Sequence, residues 1–108
     1  MSNEREDVCM SITEFLLARV AEDEKAAQED VEALECWAED SPDLDAGALL
    51  WHARRVLREC EAKRLELEEL ERMILNGSEA ERSSAEWLLR VKAGVYADHS
   101  DYDPEWRP

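Results

Sequence analysis

The densest cluster of potential metal ligands in the sequence is Asp98-His99-Ser100-Asp101-Tyr102-Asp103. A calcium site there would need about six to eight oxygen ligands, a glycine that lets the loop turn tightly and a closing bidentate glutamate. The run has no such glycine, and zinc or another transition metal would want a second histidine beside His99. The pattern therefore predicts no metal and no cofactor. It predicts instead that the residues anchor an irregular tail. Tyr96, Tyr102 and Trp106 offer large apolar area with a polar tip, and Asp98 and His99 supply caps and backbone hydrogen bonds.

The cysteines are Cys9, Cys36 and Cys60, an odd number with no Cys-x-x-Cys pair, which argues against a zinc site. Cys60 lies on an apolar helical stripe and is expected to be a buried structural thiol. Cys9 sits among Glu4, Glu6 and Asp7, carboxylates that blunt thiol reactivity. There is no glycine-rich phosphate loop and no Ser-His-Asp arrangement. With His52 on a helix flank and His99 in the tail, no nucleophile–base pair is readable, so the chain is expected not to be an enzyme.

Acidic side chains are the other concentrated chemistry. The first 45 residues hold fifteen Asp and Glu against three Arg and Lys, residues 46–75 hold six of each, and residues 76–108 hold seven acids and four bases. The net charge of −15 is thus gathered at one end of the chain. Such a face repels nucleic acid and anionic membrane and attracts basic surfaces. Its candidate partner-binding residues are Glu22, Asp23, Glu24, Glu29, Asp30, Glu32 and Glu35. From Glu14 to Asp40, ten acids and two bases occupy roughly 40 Å of helix, a net charge about every 5 Å against one per ~1.7 Å in duplex DNA. One helix is too dilute to imitate DNA, although two copies side by side approach the density of a single strand. The bland alternative is a solvated face that maintains solubility. Arg54, Arg55, Arg58, Lys63 and Arg64 form the basic cluster, which in so acidic a chain is expected to pair with helix-1 acids and set register rather than read nucleic acid.

These groups must be positioned by helices, because Leu, Ala and Glu dominate while Gly and Pro number three each. Residues 1–10 are polar and expected to be disordered. Ser11-Ile12-Thr13-Glu14 matches a capping box that opens helix 1, about 11–39, with apolar residues at Ile12, Phe15, Leu16, Val20, Ala27, Val31, Leu34 and Trp37. Ser41-Pro42-Asp43-Leu44-Asp45 is turn chemistry. Helix 2, about 46–75, carries the heptad-like seam Leu49, Ala53, Val56, Cys60, Lys63, Leu67, Leu70 and Ile74. Asn76-Gly77 reads as a left-handed C-cap, and Ser78-Glu79-Ala80-Glu81 as a second capping box. Helix 3, about 78–93, is expected to bury Trp87, Leu88 and Val91, with Gly94 closing it and a tail over 95–108.

Two long helices of matched length and a short loop predict an antiparallel hairpin reflected about residue 43, which sets Cys36 far from Cys60 and precludes a disulfide between them. Helix 3 covers only part of that hairpin, leaving the remainder to the tail or to a second copy in a homodimer. The longest apolar runs, such as Ala48 to Trp51, fall far short of the ~18 residues of a membrane span. No basic-then-apolar leader opens the sequence. A soluble, cytoplasmic protein of one helical domain over 11–108 is the expectation.

Two stretches carry a resemblance. One is Trp51-His52-Ala53-Arg54-Arg55-Val56-Leu57-Arg58-Glu59-Cys60-Glu61-Ala62-Lys63-Arg64, and the other runs Tyr96-Ala97-Asp98-His99-Ser100-Asp101-Tyr102-Asp103-Pro104-Glu105-Trp106-Arg107-Pro108. Over about the last sixty residues the chain resembles a family of small acidic proteins of unknown function from actinobacteria and their bacteriophages. Where that family has a His-Asp-Pro step before Val-Leu-Arg, Arg54-Arg55 runs straight in, so helix 2 is expected to be continuous. The resemblance implies an origin, including host cytoplasm for a phage-encoded chain, and no mechanism.

The sequence therefore predicts an all-α fold: a long antiparallel helical hairpin, a shorter third helix and an ordered aromatic tail. Its expected role is non-catalytic binding of a basic protein through the acidic first helix. The alternative is a dimerisation module whose acidic face is only solvated. Metal chemistry at the tail and DNA mimicry rank below both.

Overall fold

Long stretches of Ala, Leu, Glu and Arg leave helix as the regular structure this chain can build. The computed structural model describes residues 10–40 and 44–108 and is helical nearly throughout, with no strand among the described residues. Helix α1 spans Ile12–Asp40, α2 spans Leu44–Asn76, α3 spans Glu79–Gly94, and a short 3-10 helix covers Pro104–Trp106. The all-α fold of a helical hairpin, a third helix and an aromatic C-terminal cluster is thus present. Helix ends differ from those read in the sequence by one or two residues. The turn at Ser41-Pro42-Asp43, Cys9 and nearly all of the N-terminal segment lie outside the described residues. Helix α2 runs through Arg54-Arg55 without a break.

Local chemistry explains the starts. The Glu14 N–H donates to Ser11 Oγ at 3.1 Å where α1 begins. At α3 the capping box is reciprocal: Glu81 N–H donates to Ser78 Oγ at 3.2 Å, and Ser78 N–H donates to Glu81 Oε1 at 3.0 Å. That bond holds the Glu81 carboxyl below its usual range.

The junction between α2 and α3 corrects one expectation. No described glycine has a positive φ, so Gly77 is not a left-handed cap. Its N–H donates to Met73 O at 3.0 Å, and the chain passes directly into the extended Ser78 cap. Glycine is needed there for a different reason, because a Cβ on Gly77 would lie 2.4 Å from Met73 O.

The chain divides into two compact units, residues 19–65 and residues 10–18 with 66–108, and α1 and α2 lend residues to both. In the first, the two helices pair antiparallel. Arg54 reaches Glu35 at 3.1 Å and Arg64 reaches Glu24, a reflection about residue 44 rather than 43. Val20, Ala27, Val31, Ala46, Ala53 and Cys60 are buried. Leu49 and Trp37 stay 51% and 42% exposed, because two helices alone bury only the floor of their shared face.

The second unit joins the start of α1, the end of α2, α3 and the tail. Its core is Phe15, Leu16, Leu67, Leu70, Ala85, Leu89, Ala93 and Tyr102. Thr13 Oγ1 donates to Glu71 Oε2 at 2.9 Å, and Lys92 pairs with Glu66. Here the expected face of α3 is corrected. Trp87 is 56% exposed and Leu88 and Val91 are also exposed, while Ala85, Leu89 and Ala93 face inward. Those three recur at i, i+4 and i+8, and their two alanines allow the close approach that a tryptophan on the same face would prevent.

Candidate functional site

Helix periodicity sorts the acids of α1 into those that α2 neutralises and those it leaves to solvent. In the unit of residues 19–65, Arg64 grips Glu24 with both guanidinium nitrogens, Nη2 donating to Oε1 at 2.9 Å and Nη1 donating to Oε2. This hydrogen-bonded pair holds the Glu24 carboxyl below the usual carboxylate range and pushes Arg64 up. Arg54 Nη2 donates to Glu35 Oε2 at 3.1 Å between two half-exposed side chains. Both pairs join α1 to the basic cluster of α2.

Glu22 is held within its own helix. Arg19 Nη2 donates to Glu22 Oε2 at 3.2 Å, and Nε lies 2.8 Å from Oε1. Arg19 is only 6% exposed, a buried cation that sequence reasoning did not single out. The Arg19-x-x-Glu22 spacing, which puts both on one face, was the available signal. Glu32 accepts from Gln28 Nε2 at a long 3.5 Å. Asp23, Glu29 and Asp30 make no hydrogen bond or ion pair among the described residues, and Glu29, Asp30 and Glu32 are exposed. On α2, Arg55 lies 5.8 Å over the Trp51 ring and donates to Glu59 Oε1 at 2.9 Å.

Cys60 is buried and free, and Cys36 is exposed and free. Burial pushes the Cys60 thiol up, and the nearby Asp23 carboxylate pushes it further, so the neutral thiol persists.

The tail residues gather in the other unit around one ring. Phe15 is fully buried, with centroid distances of 6.1 Å to Tyr96, 5.7 Å to His99, 6.1 Å to Tyr102 and 5.0 Å to Trp106. Tyr102 and Trp106 meet edge to face at 5.6 Å. The edge-on geometry places positive ring edges against negative faces. The backbone reaches this arrangement by successive i→i−3 hydrogen bonds, among them Tyr96 to Ala93, His99 to Tyr96 and Tyr102 to His99. His99 Nδ1 accepts the Asp101 N–H at 3.0 Å, and Asp103 Oδ1 accepts the Glu105 N–H at 2.9 Å. Asp98 is exposed and makes no hydrogen bond among the described residues. The sequence hides the hub: Phe15 is the chain's sole phenylalanine, one turn past the first cap, and its spacing makes it look like one more stripe residue of the helix.

Among the described residues no group of three or more His, Cys, Asp or Glu side chains converges as a metal site, and no helix is long and apolar enough to cross a membrane. No curated protein and no solved structure matches the chain. A family model matches residues 9–108, which includes both units and the aromatic tail. The chain belongs to that family, described as a family of unknown function, DUF6221.

Proposed function

We propose that this protein is a non-catalytic accessory factor that binds a basic protein surface through the acidic face of α1. The observation that carries this reading is the uneven neutralisation of that face. From Glu22 to Glu35 there are seven acids and one base, and among the described residues arginines of α2 pair with only two of those acids, Glu24 and Glu35. Asp23, Glu29 and Asp30 have no ion-pair partner among the described residues, and Glu32 is exposed. Asp23 and Asp30 share one side of α1 and Glu29 and Glu32 another. Carboxylates so gathered on one helix form a potential that steers a cationic partner and is weakened by salt. The resemblance of the Val56-Leu57-Arg58 helix and the Tyr96–Trp106 tail supports an actinobacterial or phage origin and work in that cytoplasm.

The test is retention of host proteins on the immobilised chain, identified by mass spectrometry. Specific basic proteins are expected in low salt and are expected to elute at roughly 0.5 M salt, where the screening length is only a few ångströms. They are also expected to be lost with Glu29→Gln/Asp30→Asn/Glu32→Gln. Retention of nothing, or retention indifferent to both salt and these substitutions, sinks the proposal.

The second reading, a dimerisation module with a merely solvated acidic face, draws support from the uncovered apolar residues Leu49 and Trp37. Light scattering decides it, since that reading requires a dimer mass.

A further inference from the structure

The two helices of residues 19–65 leave an open groove of about 540 Å³ along one side of their seam. Buried Ala27 and Ala53 form its floor, with Ala26 and Ala33 on the α1 bank and Leu49 and Val56 on the α2 bank. Asp23 and Asp30 line the same groove and have no ion-pair partner among the described residues. We infer that this groove is the docking site for an amphipathic helix of a partner protein, with small apolar residues inward and lysines or arginines along one flank. The inference rests on the reading of a basic partner and specifies its shape.

Four alanines give the groove its form. Side chains this small let a third helix approach to the near limit of interhelical distance, about 8 Å, and complete the layer that a two-helix hairpin lacks. A helix satisfies its own backbone groups when it enters such a groove, whereas an extended segment would bring unpaired N–H and C=O groups onto apolar walls. Asp23 and Asp30 are two helical turns apart, about 10.5 Å along the axis. Cations seven residues apart on an incoming helix fall at that same repeat. A second copy is the poorer occupant, because it would bring its own Asp23 and Asp30 to the same place, and like charges facing each other disfavour association.

The experiment measures binding of three dye-labelled synthetic peptides of about twenty residues to the full chain by fluorescence anisotropy. One is an Ala/Leu amphipathic helix with lysines at seven-residue spacing, the second has glutamate for every lysine, and the third is the lysine peptide scrambled to destroy the stripe. The lysine helix is expected to bind, the glutamate helix not to bind, and the scrambled peptide to bind at least about tenfold more weakly. Ala26→Gln and Ala33→Gln fill the groove at exposed positions without changing charge, and each is expected to weaken binding by about tenfold or more. Circular dichroism checks that both variants keep the wild-type helicity.

Binding of the lysine helix unaffected by both alanine variants overturns the groove, as does equal binding of the scrambled peptide. In either case loss of binding in the Glu29→Gln/Asp30→Asn/Glu32→Gln variant leaves the basic-partner reading standing. Failure of the lysine helix to bind overturns the groove as well. So does a dimer mass in light scattering that Ala33→Gln converts to monomer, since the second copy would then be the occupant.

Discussion

The ring of Phe15, at the end of the first turn of α1, has its centroid 5.0 Å from that of Trp106 in the tail. Tyr96, His99 and Tyr102 surround the same phenyl group. Four rings of the tail thus converge on one buried side chain. Phe15→Ala should lower stability by about 3–5 kcal/mol, the cost of deleting a buried phenylalanine. Urea unfolding measures this, and the near-ultraviolet circular dichroism of the tail aromatics should weaken at the same time. A loss below about 1 kcal/mol would show that the tail is secured by something other than this ring.

Gly77→Ala should destabilise by about 1–3 kcal/mol, the usual range for forced overpacking. The added methyl would meet Met73 O at 2.4 Å and Glu81 Cβ at 3.0 Å, so the backbone between α2 and α3 must shift. Thermal unfolding of the variant beside Ser78→Ala checks it. The latter removes only a cap and should cost about 1 kcal/mol.

The Glu24–Arg64 pair predicts an acid-sensitive contribution. The Glu24 carboxyl has a lowered pKa when folded, so its contribution is complete above the ordinary carboxylate pKa and is lost as pH falls through the lowered value. Urea midpoints at pH 7 and about pH 3 should therefore fall less in Glu24→Gln than in the wild-type chain. Equal falls would mean that the pair contributes nothing to the folded state.

Thiol labelling separates the two described cysteines. Cys36 is exposed and should react with iodoacetamide in the native protein, as read by peptide mass mapping. Cys60, buried and with its thiol pushed up, should react only when urea unfolds the chain. Native labelling of Cys60 would show that the unit of residues 19–65 opens readily.

Helix content, the continuity of α2 and the Ser78 cap were legible because each is written in local sequence. Helix formers are local, and the Ser78–Glu81 spacing carries its own hydrogen bonds. The pairing of Arg64 with Glu24 and Arg54 with Glu35 was foreseeable in kind, since a charge-balanced helix lay beside an acidic one. The inward face of α3 was not legible. Hydrophobicity favoured Trp87, Leu88 and Val91, but the space available decided for Ala85, Leu89 and Ala93. A one-dimensional pattern records which side chains are apolar and not how much room awaits them. The alanine groove was obscure for the same reason, as small residues look like helix filler until two helices bring them together.

The arrangement around Phe15 also constrains how the newly made chain matures. The ribosome releases α1 early, yet the rings that enclose Phe15 belong to residues 96–106. Until those have been synthesised, the phenyl group lacks the four rings that pack on it and is more available to chaperones or to other unfinished chains. Closure of that unit is thus a late event of biosynthesis, timed by the last aromatic to emerge.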